Sequence, residues 1–406
     1  MTQDPVDLAC KPWWTQDRVR LLLADLIQAE LARLQPLTAD AVALSASDLD
    51  LDALGLSSLA FIDLATTVAV QFRLDETGHD SMLMERRRLA DWVKTVLASR
   101  RTCDETIGFL TSGSTGQPKL CLHALALLEQ EIEFFAGLFA DRRRILRVVP
   151  CHHIYGFLFG WMLPARLGIP VLDARRILPS AVLRQTCPGD LVVGYPAFFA
   201  LASRIPLQVG EDVVAVTSTS PCPPEVWQAL AELGCARIIE VYGSSETAGI
   251  GWREGADDPF CLLPHWTRVP GSPEHLQRPQ TAGPPCFWPL PDRVLWTGER
   301  QFQVLGRRDG AVQVAGINVY PERIAACLRE HPEVAEAVVR PTGTGADPQL
   351  KAFVVPTNAC QDLQGLPNRL HRWLTGRLLP HERPRSIRVG FEIPRSELGK
   401  LADWEE

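Results

Sequence analysis

From about residue 106 onward, the sequence alternates between short apolar runs rich in β-branched residues and stretches with helical periodicity. Such alternation is typical of a layered α/β fold, in which helices cover a sheet. A helical pattern at 224–233 is one example of the intervening stretches. The apolar runs lie at 107–110, 146–149, 191–193, 213–216 and 237–241. The sequence therefore predicts an α/β unit for this part of the chain.

The N-terminal region has a helical pattern instead. Apolar residues recur at helical spacing from Asp17 to Leu34, and Pro36 is a natural end for that helix. Two further helical patterns, at 58–72 and 89–97, follow an acidic loop. Three or four helices with acidic loops in about 80 residues make a small bundle. We therefore expect an α-helical bundle over residues 15–100.

The chain as a whole is predicted to be a multidomain protein, because its pattern changes twice. The polar stretch 98–106 is a candidate linker between the helical bundle and an α/β large subdomain at 106–308. A small α+β subdomain is expected at 309–406, with an apolar strand at 337–340 and a helix at 363–379.

Composition and charge argue against several classes of function. The net charge is −7, and the arginine runs at 86–88 and 142–144 are too short to grip nucleic acid. The most apolar stretch, 157–172, is interrupted by Pro164 and Arg166, so no membrane span is expected. The eleven cysteines include no C-x-x-C pair, which argues against a zinc site. Because the start of the sequence has no signal-peptide pattern, we predict a cytoplasmic protein.

The stretch from Phe109 to Lys119 carries the strongest chemical signal. Its two glycines let the backbone turn tightly and bring N–H groups close to an anion, while hydroxyl groups and one lysine add further donors. Such donors suit a triphosphate whose pyrophosphate must be held as it leaves. The pattern differs from a Walker A loop, which needs G-x-x-x-x-G-K-[ST]. The candidate phosphate-binding residues are Thr111, Ser112, Gly113, Ser114, Thr115, Gly116 and Lys119.

This stretch resembles the phosphate loop of the adenylate-forming superfamily, which includes acyl-CoA synthetases, nonribosomal peptide adenylation domains and firefly luciferases. The resemblance implies ATP and Mg²⁺ as cofactors and a carboxylic acid as substrate. It also implies an acyl-adenylate intermediate and a thiol acceptor. Further motifs of the superfamily follow in the expected order.

The segment from Val241 to Thr247 is similar to the Y-G-x-T-E signature of the superfamily. By resemblance, Tyr242 and Gly243 contribute to the adenine site, Glu246 reaches Mg²⁺ and Thr247 contacts the α-phosphate. The residue types agree with these roles, because a carboxylate beside a triphosphate is costly unless a divalent cation lies between them.

The segment from Val149 to Gly156 resembles the P-x-x-H-x-x-G segment that borders the acyl pocket. His153 stands at the position of the superfamily's histidine, although a histidine among apolar neighbours is also a common core residue. Apolar side chains that could form walls for an aryl acid, but that core packing explains equally well, are Tyr155, Phe157, Phe198 and Trp252.

Two weaker matches concern the nucleoside. The turn at 217–223 is similar to the small-residue turn that packs against adenine, and it makes Ser218 a candidate contact. The superfamily's ribose-binding T-G-D motif has its nearest equivalent at 296–299, where Glu299 replaces the aspartate.

Two matches concern the C-terminal part. Gly306 to Asp309 resembles the superfamily's hinge motif, in which Arg307 would contact ribose and Asp309 would be the pivot. The segment 394–400 is similar to the terminal P-R-[ST]-x-x-G-K motif. By this resemblance, Lys400 would bridge the acid carboxylate and the α-phosphate, and thus be catalytic together with Thr247 and His153.

Within the helical region, residues 53–61 resemble the L-G-x-D-S-L signature of acyl carrier proteins. By resemblance, Ser58 would carry a 4′-phosphopantetheine arm attached by a phosphopantetheinyl transferase. A serine at a helix N-terminus is exposed, and the helix dipole favours an attached phosphodiester. Ser57 replaces the usual aspartate, and a helix cap is the alternative role for either serine.

The first functional hypothesis is therefore an AMP-forming ligase that passes an acyl group to a phosphopantetheine thiol, on Ser58 or on a separate carrier protein. General resemblance to the compact synthetases of aryl polyene pathways would make the acid aromatic. One alternative is an acyl-CoA synthetase that uses free CoA. Another is a non-catalytic carrier or scaffold with a degenerate ATP site. The large subdomain is shorter than usual, because the helical region occupies much of its N-terminal part.

Overall fold

The structure is a computed structural model that describes residues 11–34, 49–112, 118–279, 286–308, 310–314, 317–342, 349–395 and 401–404. Several candidate residues lie outside these ranges, namely Gly113, Ser114, Thr115, Gly116, Asp309 and Lys400. For Thr111 and Ser112 only the strand backbone is described.

The N-terminal region is helical, as predicted. Its helices are α1 (Gln16–Leu34), α2 (Ser58–Phe72), α3 (Met82–Glu85) and α4 (Leu89–Thr102). Helix α2 begins after Ser57, whose hydroxyl accepts a hydrogen bond from the Ala60 N–H at 3.2 Å. Ser57 is therefore the helix cap, and Ser58 is the exposed first residue of the helix.

The helical region shares its hydrophobic core with the part of the chain that follows it. One continuous cluster of buried side chains extends from Trp13 through α1, α2 and α4 to the sheet. At the boundary, the ring of Trp14 lies 5.1 Å from that of Trp161 and 6.3 Å from that of Phe72. The helices therefore pack against the α/β unit and share its hydrophobic core.

The α/β unit begins with two antiparallel strands, β1 and β2, which flank residues 113–117 of the predicted phosphate-binding stretch. The elements up to the end of the parallel strands are β1 (Thr106–Ser112), β2 (Pro118–Ala124), α5 (Leu125–Leu138), β3 (Arg144–Arg147), α6 (Ile154–Phe157), a π-helical turn (Leu158–Met162), α7 (Leu163–Leu167), β4 (Val171–Asp173), α8 (Pro179–Arg184), β5 (Asp190–Gly194), α9 (Pro196–Ala202), β6 (Val214–Thr217), α10 (Pro224–Glu232) and β7 (Arg237–Ser244).

The remaining strands of this unit are antiparallel. They are β8 (Ala248–Arg253), β9 (Phe260–Leu262), β10 (Thr267–Val269), β11 (Ser272–Arg278), β12 (Cys286–Pro289), β13 (Asp292–Trp296) and β14 (Gln301–Arg307). Strands β10 to β12 make a separate three-stranded sheet from a proline-rich stretch whose sequence has no clear period.

Within the described ranges, the central sheet has nine strands in the order β13-β14-β9-β8-β7-β6-β5-β3-β4. Strands β4, β3, β5, β6 and β7 are parallel. Every residue of β5 and β6 is buried, as expected for parallel strands covered on both faces. This explains the uninterrupted apolar runs 191–193 and 214–216 within these strands, and the predicted α/β sheet is confirmed.

The C-terminal part is a small α+β unit, as predicted. Its elements are β15 (Val312–Val314), β16 (Ile317–Val319), α11 (Pro321–Arg329), β17 (Val334–Thr342), β18 (Gln349–Pro356), α12 (Leu366–Thr375) and β19 (Ser386–Val389). Strands β17, β18 and β19 form one sheet, and the helices cover it with a core separate from that of the large unit. In the described part of the chain, no helix is long and apolar enough to cross a membrane.

Candidate active site

Three of the predicted motifs meet at one edge of the central sheet. Strands β3, β6 and β7 are parallel and close in the sheet order, so their carboxyl ends lie at the same edge. The loop after β3 carries His153, the turn after β6 carries Ser218, and the end of β7 carries Tyr242 and the signature residues. Ligands of open α/β sheets bind at such an edge.

The hairpin that carries the phosphate loop is attached to the signature segment by two contacts. Lys119 Nζ donates a hydrogen bond to Glu246 Oε1 at 3.1 Å, and both side chains are about half exposed. The Nε2 of His123 lies 2.7 Å from the carbonyl oxygen of Ser245. Because a carbonyl can only accept, this nitrogen must carry the proton, and burial lowers the pKa of His123 so that the ring stays neutral.

The Lys119–Glu246 pair also fixes the charge of the carboxylate. Burial works against ionisation, but the hydrogen bond from Lys119 prevails and lowers the pKa of Glu246 below its usual value. The same hydrogen bond raises the pKa of Lys119. The Glu246 carboxylate and the Lys119 ammonium group are therefore both charged.

The signature turn is held by its own hydroxyl groups. The hydroxyls of Ser244 and Thr247 lie 3.0 Å apart, and Ser244 Oγ accepts hydrogen bonds from the N–H groups of Glu246 and Thr247 at 3.3 Å. Ala248 has a φ of 57°, and a Cβ on Gly243 would lie 2.1 Å from the Ala248 carbonyl oxygen. Gly243 is thus required for the close approach of the two arms of this turn.

A tyrosine, an aspartate and an arginine converge beside this turn. Tyr242 donates a hydrogen bond from its hydroxyl to Asp292 Oδ2 at 2.6 Å. Arg307 Nε lies 3.8 Å from Asp292 Oδ1, since the two residues face each other across β13 and β14. Burial, together with the neighbouring carboxylate, raises the pKa of Tyr242, so the hydroxyl keeps its proton. Asp292 is therefore a buried carboxylate that joins two predicted nucleotide-binding residues.

The structure does not bring Glu299 into this group. Glu299 lies in the turn between β13 and β14, beyond Trp296, whereas Asp292 and Arg307 pair at the opposite end of the two strands. Asp292 and Trp296 are four positions apart along β13, at about 3.4 Å per position. The acidic residue beside Tyr242 and Arg307 is Asp292, which sequence reasoning missed because Leu290 and Pro291 precede it instead of Thr-Gly.

The loop after β3 places His153 at the start of α6, where it is the N-cap residue. Its side chain is solvent-accessible, yet the surrounding protein desolvates the imidazole and lowers its pKa. Gly156 makes the loop compact, because a Cβ there would lie 1.9 Å from the Pro150 carbonyl oxygen.

The aromatic residues that follow His153 are largely core residues. Tyr155 donates its hydroxyl hydrogen to the carbonyl oxygens of Gly194 and Val216, at 3.0 and 3.1 Å, and so joins the ends of β5 and β6. Phe157 is fully buried, with its ring 4.7 Å from that of Trp161. Core packing therefore accounts for these two side chains.

The other two predicted wall residues also have packing partners. Phe198 is buried against Phe199, with ring centroids 5.2 Å apart, and Trp252 lies 5.9 Å from Phe134. Ser218 donates its hydroxyl hydrogen to the Val241 carbonyl oxygen at 2.8 Å. The small-residue turn after β6 is thereby fixed beside the strand that carries Tyr242.

Comparison with known proteins decides the family. The AMP-binding enzyme family matches residues 104–292, and the AMP-binding enzyme C-terminal domain matches residues 323–400. A 4-coumarate–CoA ligase of Halorhodospira halophila is 36% identical over 400 residues, which cover 95% of this chain and 98% of that protein. The chain belongs to the AMP-binding enzyme family. It is an AMP-forming acid–thiol ligase, as predicted.

Two further comparisons describe this AMP-binding enzyme. A 4-coumarate–CoA ligase of Cereibacter sphaeroides is 35% identical over 362 residues, covering 88% of this chain and 85% of that protein. The solved structure of an o-succinylbenzoate CoA synthetase double mutant from Bacillus subtilis superposes with a TM-score of 0.56 at 20% identity, covering 74% of this chain and 68% of that one. At that identity, the structural likeness supports the fold alone.

The similarity to the Halorhodospira protein includes the N-terminal helices of this AMP-binding enzyme. Because the match covers 95% of the chain, most of the helical region must lie inside it. The relative therefore has a counterpart of the helical region, which is not an addition particular to this chain.

One buried carboxyl group of the AMP-binding enzyme contacts the strand that follows the signature turn. Glu131, on α5, is fully buried and accepts hydrogen bonds from the Gly249 N–H at 3.0 and 3.1 Å. Burial raises the pKa of Glu131 to about 7, against the opposing effect of Arg278. A lone glutamate in an amphipathic helix gives no sequence signal for such a contact, so Glu131 was missed.

The C-terminal motif of the AMP-binding enzyme is described only around its edges. Lys400 itself lies outside the described residues, whereas Arg395 and Leu401 pair as an isolated β-bridge. Lys351 Nζ donates to the Trp404 carbonyl oxygen at 2.6 Å, which fixes the end of the chain on β18. The described residues 395 and 401, on either side of the undescribed stretch 396–400, are thus paired with each other, and Trp404 is held on β18.

Proposed function

We propose that this enzyme is an acid–CoA ligase that activates an aromatic acid of the arylpropenoic type with ATP and transfers the acyl group to free CoA. The observation that carries the proposal is the 36% identity, over nearly the whole of both chains, to a protein named 4-coumarate–CoA ligase. A second such relative supports it at 35% identity.

In the first half-reaction, a carboxylate oxygen of the acid attacks the α-phosphorus of ATP, and pyrophosphate leaves. The phosphate loop with Lys119 would hold the departing phosphates, and Thr247 would contact the α-phosphate. Lys400 would neutralise charge between the carboxylate and the α-phosphate as the adenylate forms. In the second half-reaction, the CoA thiolate attacks the acyl carbonyl carbon and AMP leaves.

The nucleoside would be bound by the group around Asp292. Tyr242 would stack on adenine, and the carboxylate of Asp292 is suited to accept hydrogen bonds from ribose hydroxyls, with Arg307 beside it. The 2.6 Å contact from Tyr242 to Asp292 supports this assignment, because it fixes the carboxylate next to the proposed adenine site.

The residues present fit a magnesium ion held jointly with the nucleotide. Mg²⁺ usually takes one or two protein carboxylates and completes its shell with substrate phosphates and water. Glu246 is ionised, half exposed and next to Lys119, so it could supply that carboxylate. When bound, the ion would neutralise phosphate charge and help pyrophosphate to leave.

His153 would contribute to the acid side of the site. Because its pKa is lowered, the imidazole is neutral at pH 7 and can donate one hydrogen bond to a substrate oxygen. Its position at the carboxyl edge of β3, close in the sheet to the signature segment on β7, supports this role.

Free CoA is favoured over an arm on Ser58 for two reasons. A carrier serine must travel between sites, but the helical region shares a continuous core with the large unit. The residues that suggested a carrier signature are also explained by helix capping, since Ser57 caps α2 and Gly55 ends the preceding turn at a φ of 66°. The alternative to be tested is a 4′-phosphopantetheine arm on Ser58 as the acyl acceptor.

The proposal is tested by incubating the enzyme with Mg²⁺-ATP, free CoA and single acids from a panel of arylpropenoic, benzoic and fatty acids. Acyl-CoA and AMP formed in equal amounts with arylpropenoic acids would support the proposal. Turnover with fatty acids alone would overturn the acid class. Acid-dependent AMP release without acyl-CoA would overturn CoA as the acceptor.

A further inference from the structure

We propose that Asp25, on the N-terminal helix α1, is a positioning residue for the loop that carries His153. The N-terminal helical region thereby contributes to binding of the acid substrate. This inference rests on the proposed function for its meaning in catalysis. Its structural basis is a buried contact between α1 and the loop after β3, and one of its tests is independent of turnover.

Asp25 is buried and uses both carboxylate oxygens. Its Oδ2 accepts hydrogen bonds from the Cys151 N–H at 2.7 Å and from Arg147 Nη1 at 2.5 Å. Its Oδ1 accepts one from Arg175 Nη2 at 2.5 Å. Cys151 lies two residues before His153, so the carboxylate on α1 directly holds the backbone of the histidine loop.

Arg147 makes this contact hard to replace. It is fully buried at the end of β3, where its guanidinium donates to Asp25, to the Val149 carbonyl oxygen at 3.1 Å and to Asp173 at 2.6 Å. A buried guanidinium requires carboxylate partners, because no water replaces them. Asp25 and Asp173 supply that charge.

The loop has little freedom to adjust if this contact is lost. A Cβ on Gly156 would lie 1.9 Å from the Pro150 carbonyl oxygen, and one on Gly160 would lie 2.4 Å from Arg147 Cδ. At Gly156 and Gly160 this segment is therefore closely packed against its own residues. A displacement of Cys151 would be transmitted to His153.

Helix α1 is attached to the same segment at a second point. Arg18 Nη1 donates to the Trp161 carbonyl oxygen at 2.8 Å, and Trp161 Nε1 donates to the Arg18 carbonyl oxygen at 2.9 Å. Together with the Asp25 contacts, these hydrogen bonds attach α1 to both the histidine loop and the helical segment that follows it.

A general loss of stability must be separated from loss of positioning, and the chain offers a matched control. Asp190 is also buried, accepts a hydrogen bond from a cysteine N–H (Cys187, 2.7 Å) and pairs with an arginine (Arg144, 2.6 Å). It lies at the start of β5, at the opposite edge of the sheet from the histidine loop. Asp190→Asn therefore removes a similar charge without touching that loop.

The kinetic test measures acid-dependent exchange of pyrophosphate into ATP in the full-length enzyme. In Asp25→Asn we expect the KM for the acid to rise by about tenfold or more while the KM for ATP stays within about twofold. Asp190→Asn should leave both constants nearly unchanged. An equal rise in both constants for Asp25→Asn, or an equal acid effect in the two variants, would overturn the proposal.

The structural test needs no substrate. His153 is accessible and neutral, so its rate of carbethoxylation by diethyl pyrocarbonate can be followed by peptide mass. We expect the rate to change by about threefold or more in Asp25→Asn and not in Asp190→Asn. An altered rate in an enzyme that exchanges no pyrophosphate with any acid would uphold the positioning and overturn the proposed function. An unaltered rate would overturn the positioning.

A milder variant covers the case in which Asp25→Asn fails to fold. Arg175→Gln removes one partner of Asp25 and leaves Arg147 paired with it. The effect on the acid KM and on His153 reactivity should be smaller but in the same direction. No change in either quantity in this variant, when folded, would count against the role of Asp25.

Discussion

Tyr242 and Asp292 are joined by a hydrogen bond of 2.6 Å from the tyrosine hydroxyl to the carboxylate, although three strands separate β7 from β13 in the central sheet. Arg307, on the neighbouring strand, lies 3.8 Å from the same carboxylate. This arrangement supports the proposed nucleoside site around Asp292.

Substituting Asp292 is expected to impair nucleotide binding, whereas substituting Glu299 is not. Asp292→Asn removes a charged acceptor beside Tyr242, and we expect the KM for ATP to rise by about tenfold or more. Glu299→Gln, at the far end of the hairpin, should leave it unchanged. The measurement is the ATP dependence of acid-dependent pyrophosphate exchange. A large effect in Glu299→Gln and none in Asp292→Asn would indicate that the T-G-E motif, and not Asp292, binds ribose.

Lys400 is predicted to act in the first half-reaction only. Lys400→Ala should lower the rate of acyl-adenylate formation by about a hundredfold or more, since it removes the charge that stabilises the transition state. Transfer from a supplied acyl-AMP to CoA should fall much less. The two steps are measured separately by pyrophosphate exchange and by acyl-CoA formation from synthetic adenylate. Equal losses in both would contradict this role.

The buried Glu131 predicts a pH dependence of stability. Its pKa is about 7 in the folded enzyme and 4.5 in its ordinary state, so the folded enzyme binds the proton more tightly. The stabilisation is fully present below about pH 4.5 and is lost as the pH rises through about 7, at on the order of 1 kcal/mol per pH unit within that window.

Glu131→Gln mimics the protonated carboxyl group and should remove this dependence. The difference in free energy of unfolding between the original enzyme and the variant should therefore change between pH 5 and 7 and be constant above about pH 8. Denaturant unfolding at a series of pH values measures it. A difference that does not vary with pH would show that Glu131 is not protonated in the folded state.

Substitutions of Ser57 and Ser58, at the start of α2, are predicted to have different effects on stability. Ser57→Ala removes the hydroxyl that caps α2 and should lower the free energy of unfolding by about 1 kcal/mol. Ser58→Ala should change neither stability nor the rate of acyl-CoA formation, because the side chain is exposed. Thermal unfolding and a steady-state assay with free CoA measure the two effects. Loss of product formation in Ser58→Ala would revive the carrier hypothesis.

Much of the site could be predicted from the sequence because its motifs follow strands. Uninterrupted apolar runs predict parallel strands, and a motif placed directly after such a run must lie at the carboxyl edge of the sheet. This reasoning applies to His153, Ser218 and Tyr242, which the structure does bring to that edge. It fails for Asp292, which stands at the beginning of an antiparallel strand and is identified only by its partner across the hairpin, Arg307.

The helical region shows a different limit of sequence reasoning. The apolar face of α1 predicts that the helix is buried, but not what it is buried against. The L-G-x-S-S-L pattern has two physical meanings, since a glycine with positive φ followed by a capping serine begins an ordinary helix as well as a carrier helix. Asp25 stands among apolar residues of α1, and its partners on the histidine loop lie more than a hundred residues away in the chain.

The acceptor of the acyl group is tested most directly by intact mass. The full-length enzyme is co-expressed with a broad phosphopantetheinyl transferase, purified, and incubated with Mg²⁺-ATP, an arylpropenoic acid and free CoA. We predict that the protein keeps its unmodified mass while acyl-CoA accumulates in solution. A phosphopantetheine adduct on Ser58 that gains the acyl increment, with no acyl-CoA formed, would contradict the account.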